Sequence, residues 1–178
     1  MANSKNQLIQ KQTKQRLRQA MGDLIVAKAF SDISIIDLTE HAGVSRMAFY
    51  RHYSSKEAVL IDYVDEQLAP LYDFLTRLPH KGPLFICQAY FQYVDAHSGL
   101  FEALIQTGAE LVPAECFRDY AVRFYAENVP QVPFAPDFKR YFNSYVGAGL
   151  YQMTLDWIKD DKRAPRTLLA QIAAKQAV

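Results

Sequence analysis

The chain is poor in the residues that usually announce chemistry. Only two of its 178 residues are cysteines, Cys87 and Cys116, and in a chain of cytosolic type these are expected to be reduced and buried rather than bridged. The four histidines, His41, His52, His80 and His97, make no His-x-x-x-His pair, and the cysteines make no Cys-x-x-Cys pair. No glycine-rich phosphate loop is present either. No metal, cofactor or enzymatic activity is therefore expected. Asp37 and His41 share a helix face at i, i+4, which reads as a surface pair, and His97 precedes Ser98-Gly99, which reads as a helix C-terminus. No apolar run reaches the ~18 residues of a membrane span, and no signal-peptide pattern is found. The expectation is a cytoplasmic chain with no membrane partner. Strands, repeats and low-complexity segments are also missing.

What is present is a helical pattern and an uneven charge. Half of the residues are apolar, so the chain should bury a core. The formal net charge is only +1, but residues 1–56 hold nine Lys and Arg against four Asp and Glu, whereas residues 57–178 hold 11 against 15. The first acidic residue, Asp23, follows Lys5, Lys11, Lys14, Arg16 and Arg18. A basic N-terminal third attached to an acidic remainder fits a polyanion-binding head on a separate body.

Within that basic third, Ser34 to Lys56 has the order of events of a helix-turn-helix. Ser34 is placed to cap a helix, with Asp37 at the third position completing a capping box. Ile35, Leu38 and Ala42 share one face. Gly43 follows where a helix ends in a left-handed residue, Val44 fills the angle, and Ser45 caps a second short helix, Arg46 to Tyr50. The N-terminal residues of such a second helix meet base edges. Arg46 can bond bidentately to guanine, and Met47 and Ala48 can touch a thymine methyl. Phe49 should pack inward. Tyr50, His52, Ser55 and Lys56 are placed to hold phosphates, and Ser34 and Ser45 complete the candidate DNA-binding set.

The run Asp-Leu-Thr-Glu-His-Ala-Gly-Val-Ser-Arg-Met-Ala-Phe-Tyr-Arg-His-Tyr-Ser-Ser-Lys-Glu-Ala-Val-Leu, Asp37 to Leu60, resembles the TetR family of bacterial regulators. The Gly-Val-Ser turn, the Tyr-x-His-Tyr end of the second helix and the Lys-Glu-x-x-Leu start of the next stand at that family's offsets. The close resemblance covers roughly residues 10 to 62; beyond that it is one of length and helix pattern. Met47 and Phe49 depart from it, standing where small or aliphatic residues are common, and this bears on the operator sequence. The resemblance implies an all-α fold of about nine helices. Residues 1–56 would be a three-helix DNA-binding head, and residues 57–178 a helical sensor and dimerisation domain. It also implies a homodimer on a palindromic operator of double-stranded DNA, most often as a repressor. A small-molecule effector or protein co-regulator would act at the C-terminal domain. A helical protein-interaction module, or an activator dependent on a co-activator, is the alternative.

The rest of the chain reads as helices with clear breaks. Residues 6–29 form one helix with an apolar stripe of Thr13, Leu17, Ala20, Leu24 and Ala27, widened by Met21 and Ile25; Phe30, Ile33 and Ile36 complete the head's core. A helix from Lys56 to about Leu78 should be kinked or ended early by Pro70. Helices follow over Leu84–His97, Leu100–Gln106 and Pro113–Asn128. Val129–Pro136, with three prolines, is a loop. Asp137 caps a helix to Lys159, the polar Asp160–Arg163 turns, and Pro165 sits in the first turn of a last helix. Aromatics crowd residues 84–158, and Tyr90, Phe91, Tyr93, Phe101, Phe124 and Tyr145 are the candidate pocket lining. The helix Tyr145-Val-Gly-Ala-Gly-Leu-Tyr-Gln-Met-Thr-Leu-Asp-Trp-Ile resembles the family's eighth, and its Trp-Ile resembles a C-terminal domain of Gram-positive relatives that include regulators of dihydroxyacetone metabolism. The resemblance places Gly147, Leu150, Tyr151, Thr154, Trp157, Leu168 and Ile172 at the dimer interface.

Overall fold

The computed structural model describes residues 2–80, 82–128 and 135–176. Its described residues form nine α-helices and one 3-10 turn, with no strand. In order these are α1 (Ala2–Ile25), the 3-10 turn Phe30–Asp32, α2 (Ile35–Ala42), α3 (Arg46–Tyr50), α4 (Lys56–Thr76) and α5 (Pro83–Ala96). There follow α6 (Gly99–Gln106), α7 (Ala114–Asn128), α8 (Pro136–Lys159) and α9 (Arg166–Gln176).

The head is built where helical periodicity meets strong local stops. Leu17, Met21 and Ile25 recur on one face of α1 and are fully buried against α2, α3 and α4. The helix ends earlier than the apolar pattern suggests. The Leu24 carbonyl accepts from the N–H groups of both Ala27 and Lys28, which closes the turn and leaves Ala27 exposed rather than in the stripe. Phe30 and Ile33 are buried as expected, but Ile36 is 49% exposed. It lies about 200° around α2 from the buried Leu38, at ~3.6 residues per turn, and so faces solvent. Gly43 takes φ 62°, and its N–H reaches the Thr39 and Glu40 carbonyls, which ends α2 in the left-handed residue that only glycine adopts cheaply.

α4 belongs to both halves, packing on α1 in the head and on α5 and α7 in the body. It runs unbroken through Pro70 to Thr76. Pro70 is on the exposed side, where water can serve the Glu66 carbonyl that loses its donor, so the proline does not end the helix early. A second link joins the halves: the Phe30 N–H donates to the Thr107 carbonyl at the end of α6, 3.0 Å.

In the body α7 packs along α8, α5 along α9, and α6 against α8. Asp137 does not cap α8. Ala135 holds that position with Pro136 after it, and Asp137 lies in the first turn, favourably placed at the positive end of the helix. Pro165 precedes α9 rather than entering it, its carbonyl accepting from Leu168 and Leu169. Residues 129–134 of the expected proline-rich loop lie outside the described residues. The α8–α9 turn holds two consecutive non-glycine residues at positive φ, Asp161 (51°) and Lys162 (57°), a conformation that costs about 1–2 kcal/mol each. Lys162 donates to Ser98 Oγ at 2.6 Å and pairs with Glu102 and Asp95 at 3.4 and 3.6 Å, ties that hold the turn.

Candidate nucleic-acid interface and effector cavity

Three serine caps set the geometry of the helix-turn-helix. Ser34 Oγ accepts from the Asp37 N–H (3.1 Å) while the Asp37 carboxylate accepts from the Ser34 N–H (2.7 Å), a complete capping box. Hydrogen bonds from the Ser34 hydroxyl and backbone, with the Lys28 ammonium, hold the Asp37 carboxyl far below its ordinary value. Ser45 Oγ accepts from Ala48 and Ser55 Oγ from Ala58, starting α3 and α4. The short α3 then has one inward residue, Phe49, fully buried, with its ring edge-on to Tyr50 at 5.3 Å. Arg46, Met47 and Tyr50 are left pointing outward, Met47 69% and Tyr50 52% exposed. Ala48 and His52 are half-buried at the edge.

Two candidate contacts are committed elsewhere. The Ser34 hydroxyl donates to Asp37 Oδ2 at 2.6 Å, so it has no proton left for a phosphate. Lys56 directs its ammonium to the carbonyls of Phe30 (2.7 Å), Ser31 (3.0 Å) and Ile33 (2.9 Å), and lies 4.6 Å above the Phe30 ring. An ammonium has three donors, and all three are used to tie α4 to the 3-10 turn. Ser45 and Ser55 accept their caps and keep a hydroxyl proton to donate.

The head's positive charge divides in the same way. Lys14 and Arg18 pair with Asp62 at 3.1 and 3.2 Å, Arg18 also with Glu66 at 2.9 Å, and Lys28 with Asp37 at 2.9 Å. Burial raises the Asp62 carboxyl, but the Tyr53 hydroxyl and the Lys14 and Arg18 charges outweigh it, and the net direction is down. Among the described residues Lys11, Arg16, Arg46 and Arg51 carry no ion pair. Arg51 was missed by the sequence reading. It stands four residues after Met47 and is exposed on the same face, a spacing that could have flagged it.

The body contains an apolar cavity of about 60 Å³ between α4, α5, α7 and α8. Leu68, Leu71 and Tyr72 of α4 face Cys87 and Tyr90 of α5 and Phe117, Tyr120 and Phe124 of α7 across it. An open groove of about 280 Å³ adjoins it through Cys87, Tyr125 and Leu150, and a cleft of about 350 Å³ lies beyond Leu68 and Leu71. Of the expected lining, Tyr90 and Phe124 do face the cavity. Tyr145 lines the open groove, and Tyr93 and Phe101 the cleft, Tyr93 stacked on His97 at 4.2 Å. Phe91 lines none of these spaces; it is fully buried, edge-on to Trp157 at 5.8 Å. The α4 wall was missed, although Leu68, Leu71, Tyr72 and Leu75 recur at helical spacing. Both cysteines are free; burial pushes each thiol up to about 11, with Asp65 and Asp119 adding to it at Cys116, so neither forms a thiolate readily.

Most of the expected dimer face is turned inward. Gly147 is pressed on α7, where a Cβ would come 2.9 Å from Ala121 Cβ. Tyr151 donates to the Glu110 carbonyl (2.6 Å), Thr154 bonds the Tyr90 hydroxyl (2.7 Å), and the Trp157 indole donates to the Ala164 carbonyl (2.9 Å). Within the chain these four are core, and Leu150 is half-buried at the cavity wall. Leu168 and Ile172 are exposed. With them on the outside stand Phe138, Tyr141 and Tyr145 of α8, each 60% or more exposed. The difference is one of rotation: residues 147, 151 and 154 share the α8 face that α6 and α7 cover, and residues 138, 141 and 145 share another.

Residues 20–63, from α1 through the turn into α4, match the family model for bacterial regulatory proteins of the tetR family. The head is a TetR-family helix-turn-helix region. An uncharacterized HTH-type transcriptional regulator of Haemophilus influenzae is 23% identical over 144 residues, 75% of this chain and 69% of that protein. The regulator EthR of Mycolicibacterium smegmatis is 48% identical over 42 residues, 24% of this chain and 19% of EthR. Among solved structures, Thermus thermophilus FadR, a TetR-family transcriptional repressor in complex with lauroyl-CoA, shares the fold with a TM-score of 0.62, covering 91% of both chains at 19% identity. The TetR likeness is therefore closest in sequence over the helix-turn-helix and is one of fold over the body. TetR-family proteins are DNA-binding regulators of transcription and not enzymes. No helix of the described residues is long and apolar enough to cross a membrane, and none of their His, Cys, Asp and Glu side chains cluster as a metal site.

Proposed function

We propose that this chain is a TetR-family repressor that binds a palindromic operator as a homodimer and is released by an apolar effector held in the body. The observation that carries the DNA reading is the outward face of α3. There Arg46, Met47, Tyr50 and Arg51 are exposed, and both arginines are without an ion pair among the described residues. On this reading Arg46 reads a base, Met47 and Ala48 lie against it, and Tyr50, Arg51, His52, Ser45 and Ser55 hold the backbone. Residues 1–56 form the reading unit and residues 57–178 the sensing and pairing unit.

One five-residue recognition helix covers few base pairs, so a two-fold pair of heads about 34–36 Å apart is needed for a unique site. The exposed row of Phe138, Tyr141 and Tyr145 with Leu168 and Ile172 supports pairing through α8 and α9. The effector reading is supported by the apolar cavity and by the lauroyl-CoA bound to Thermus FadR, which makes acyl compounds the first class to try.

The test is selection of binding sites from random duplex DNA, with affinity for the winner measured at two salt concentrations. A palindrome bound more tightly than scrambled DNA is expected. Arg46→Ala should lose about 1–3 kcal/mol of preference at one position of each half-site, while Arg51→Ala weakens all sequences alike. Weak binding of every sequence, abolished by salt, would reject the specific-regulator reading.

A further inference from the structure

The cavity is closed on one side by two tyrosines from different helices. Tyr72 of α4 and Tyr120 of α7 line it with their rings 5.6 Å apart. Their hydroxyls are pinned in opposite directions. Tyr72 donates to the Glu127 carboxylate on α7, and Tyr120 donates to Asp65 on α4, at 3.0 Å to the carboxylate and 3.2 Å to the backbone carbonyl. Each helix thus gives one tyrosine and takes one, two helical turns apart on both. Arg123 backs the arrangement, donating to Glu127 at 3.1 Å and lying 4.3 Å over the Tyr72 ring.

The space behind this clasp is about 60 Å³. Sites for small-molecule effectors run to roughly 300–1,000 Å³. Even with the adjoining groove of about 280 Å³ the space reaches only the lower end of that range, so a larger effector fills it only if a wall moves. A wall sealed by side-chain bonds near solvent gives way more easily than one sealed by close-packed apolar faces, because water replaces the broken bonds. The α4–α7 seam carries the two tyrosine bonds, and the Asp65, Glu127 and Arg123 that complete it are exposed.

We propose that Tyr72 and Tyr120 are the gate of the effector cavity. Entry breaks the Tyr72–Glu127 and Tyr120–Asp65 bonds and parts α4 from α7. This rests on the reading of the cavity as the effector site.

Tyr72→Phe, Tyr120→Phe and the double variant keep the rings and remove the bonds. Tyr151→Phe, which loses a tyrosine bond to the Glu110 carbonyl outside the cavity lining, is the control. Amide hydrogen exchange is followed in the free full-length protein, and stopped-flow association is followed for two probes, lauroyl-CoA and the apolar dye 1-anilinonaphthalene-8-sulfonate. The expected result is exchange faster by about tenfold over 65–76 and 120–128 in the double variant, and probe association faster by about tenfold, with Tyr151→Phe like wild type. Association equal in wild type and double variant, whatever exchange does, overturns the gate and leaves the effector reading standing. No uptake of either probe by any variant overturns both.

Discussion

Lys56 shows how far a single residue can be read and where the reading stops. Its place at the start of α4, beside a helix-turn-helix, suggests a phosphate ligand. In the fold its three donors go to the carbonyls of Phe30, Ser31 and Ile33, more than twenty residues back in the chain. The caps at Ser34, Ser45 and Ser55 were legible because a cap is made within three residues. The destination of Lys56 was not, because the 3-10 turn that receives it exists only after α1 has stopped at Ile25 and the chain has folded back. The two roles make opposite predictions for Lys56→Met, which keeps the stem and removes the charge. A phosphate ligand would lower the slope of log affinity against log salt by about 0.9 per site and leave the fold intact. The staple seen here predicts an unchanged slope and a loss of about 2–3 kcal/mol in urea unfolding, since charge-assisted bonds to partly buried carbonyls are broken.

Helices and their breaks were legible along most of the chain, because periodicity and Gly, Pro and Ser stops act locally. The rotation of each helix was not. Gly147 and Gly149 are two residues apart and look interchangeable in sequence. In the fold a Cβ on Gly147 would meet Ala121 Cβ at 2.9 Å and the Arg118 backbone at 3.4 Å, while a Cβ on Gly149 would meet nothing within 4 Å. Which side faces α7 is decided by the packing of α7, and so Tyr151, Thr154 and Trp157, which the resemblance places at the dimer face, are core within the chain. Gly147→Ala should therefore be destabilising by about 1–2 kcal/mol, since the overpacking of the α7–α8 seam exceeds the gain in helix propensity. Gly149→Ala should gain up to about 1 kcal/mol. Urea unfolding of both variants at one protein concentration checks the pair, and equal effects would mean that the close approach of α7 and α8 is not real.

At the scale of the whole molecule, counting charge marks the head but overstates the basic surface that is left free. Of the basic residues that make the head positive, Lys14, Arg18, Lys28 and Lys56 are committed to Asp62, Glu66, Asp37 and backbone carbonyls. These ties make the head acid-sensitive. Asp23, Asp37 and Asp62 are all held below the ordinary 3.8, with partners His41, Ser34 and Tyr53 as the main lowering causes and burial opposing them at Asp62. A folded value below the unfolded one means that the unfolded chain takes up protons first as pH falls. The stabilisation is complete above the ordinary value and is lost as pH drops from about 4 through the depressed values. Urea midpoints should therefore fall between about pH 6 and about pH 3, and Asp62→Asn, which costs about 1–3 kcal/mol at the higher pH, should fall less steeply. The proposed pairing would be the largest step of assembly. Phe138, Tyr141 and Tyr145 stand at i, i+3 and i+7 on the outer face of α8, and Leu168 and Ile172 at i, i+4 on α9. Those spacings are readable, but the aromatic row was hidden in the sequence by the other aromatics of the same helix. Tyr141→Asp with Tyr145→Asp puts two charges into that face and leaves the intramolecular core untouched. Sedimentation should show the variant at half the mass of the wild type. Operator affinity should fall by at least a hundredfold, because each head then binds a half-site alone and loses the ~mM effective concentration of its mate. A variant that is still dimeric would place the interface elsewhere and leave the aromatic row of α8 without a role in pairing.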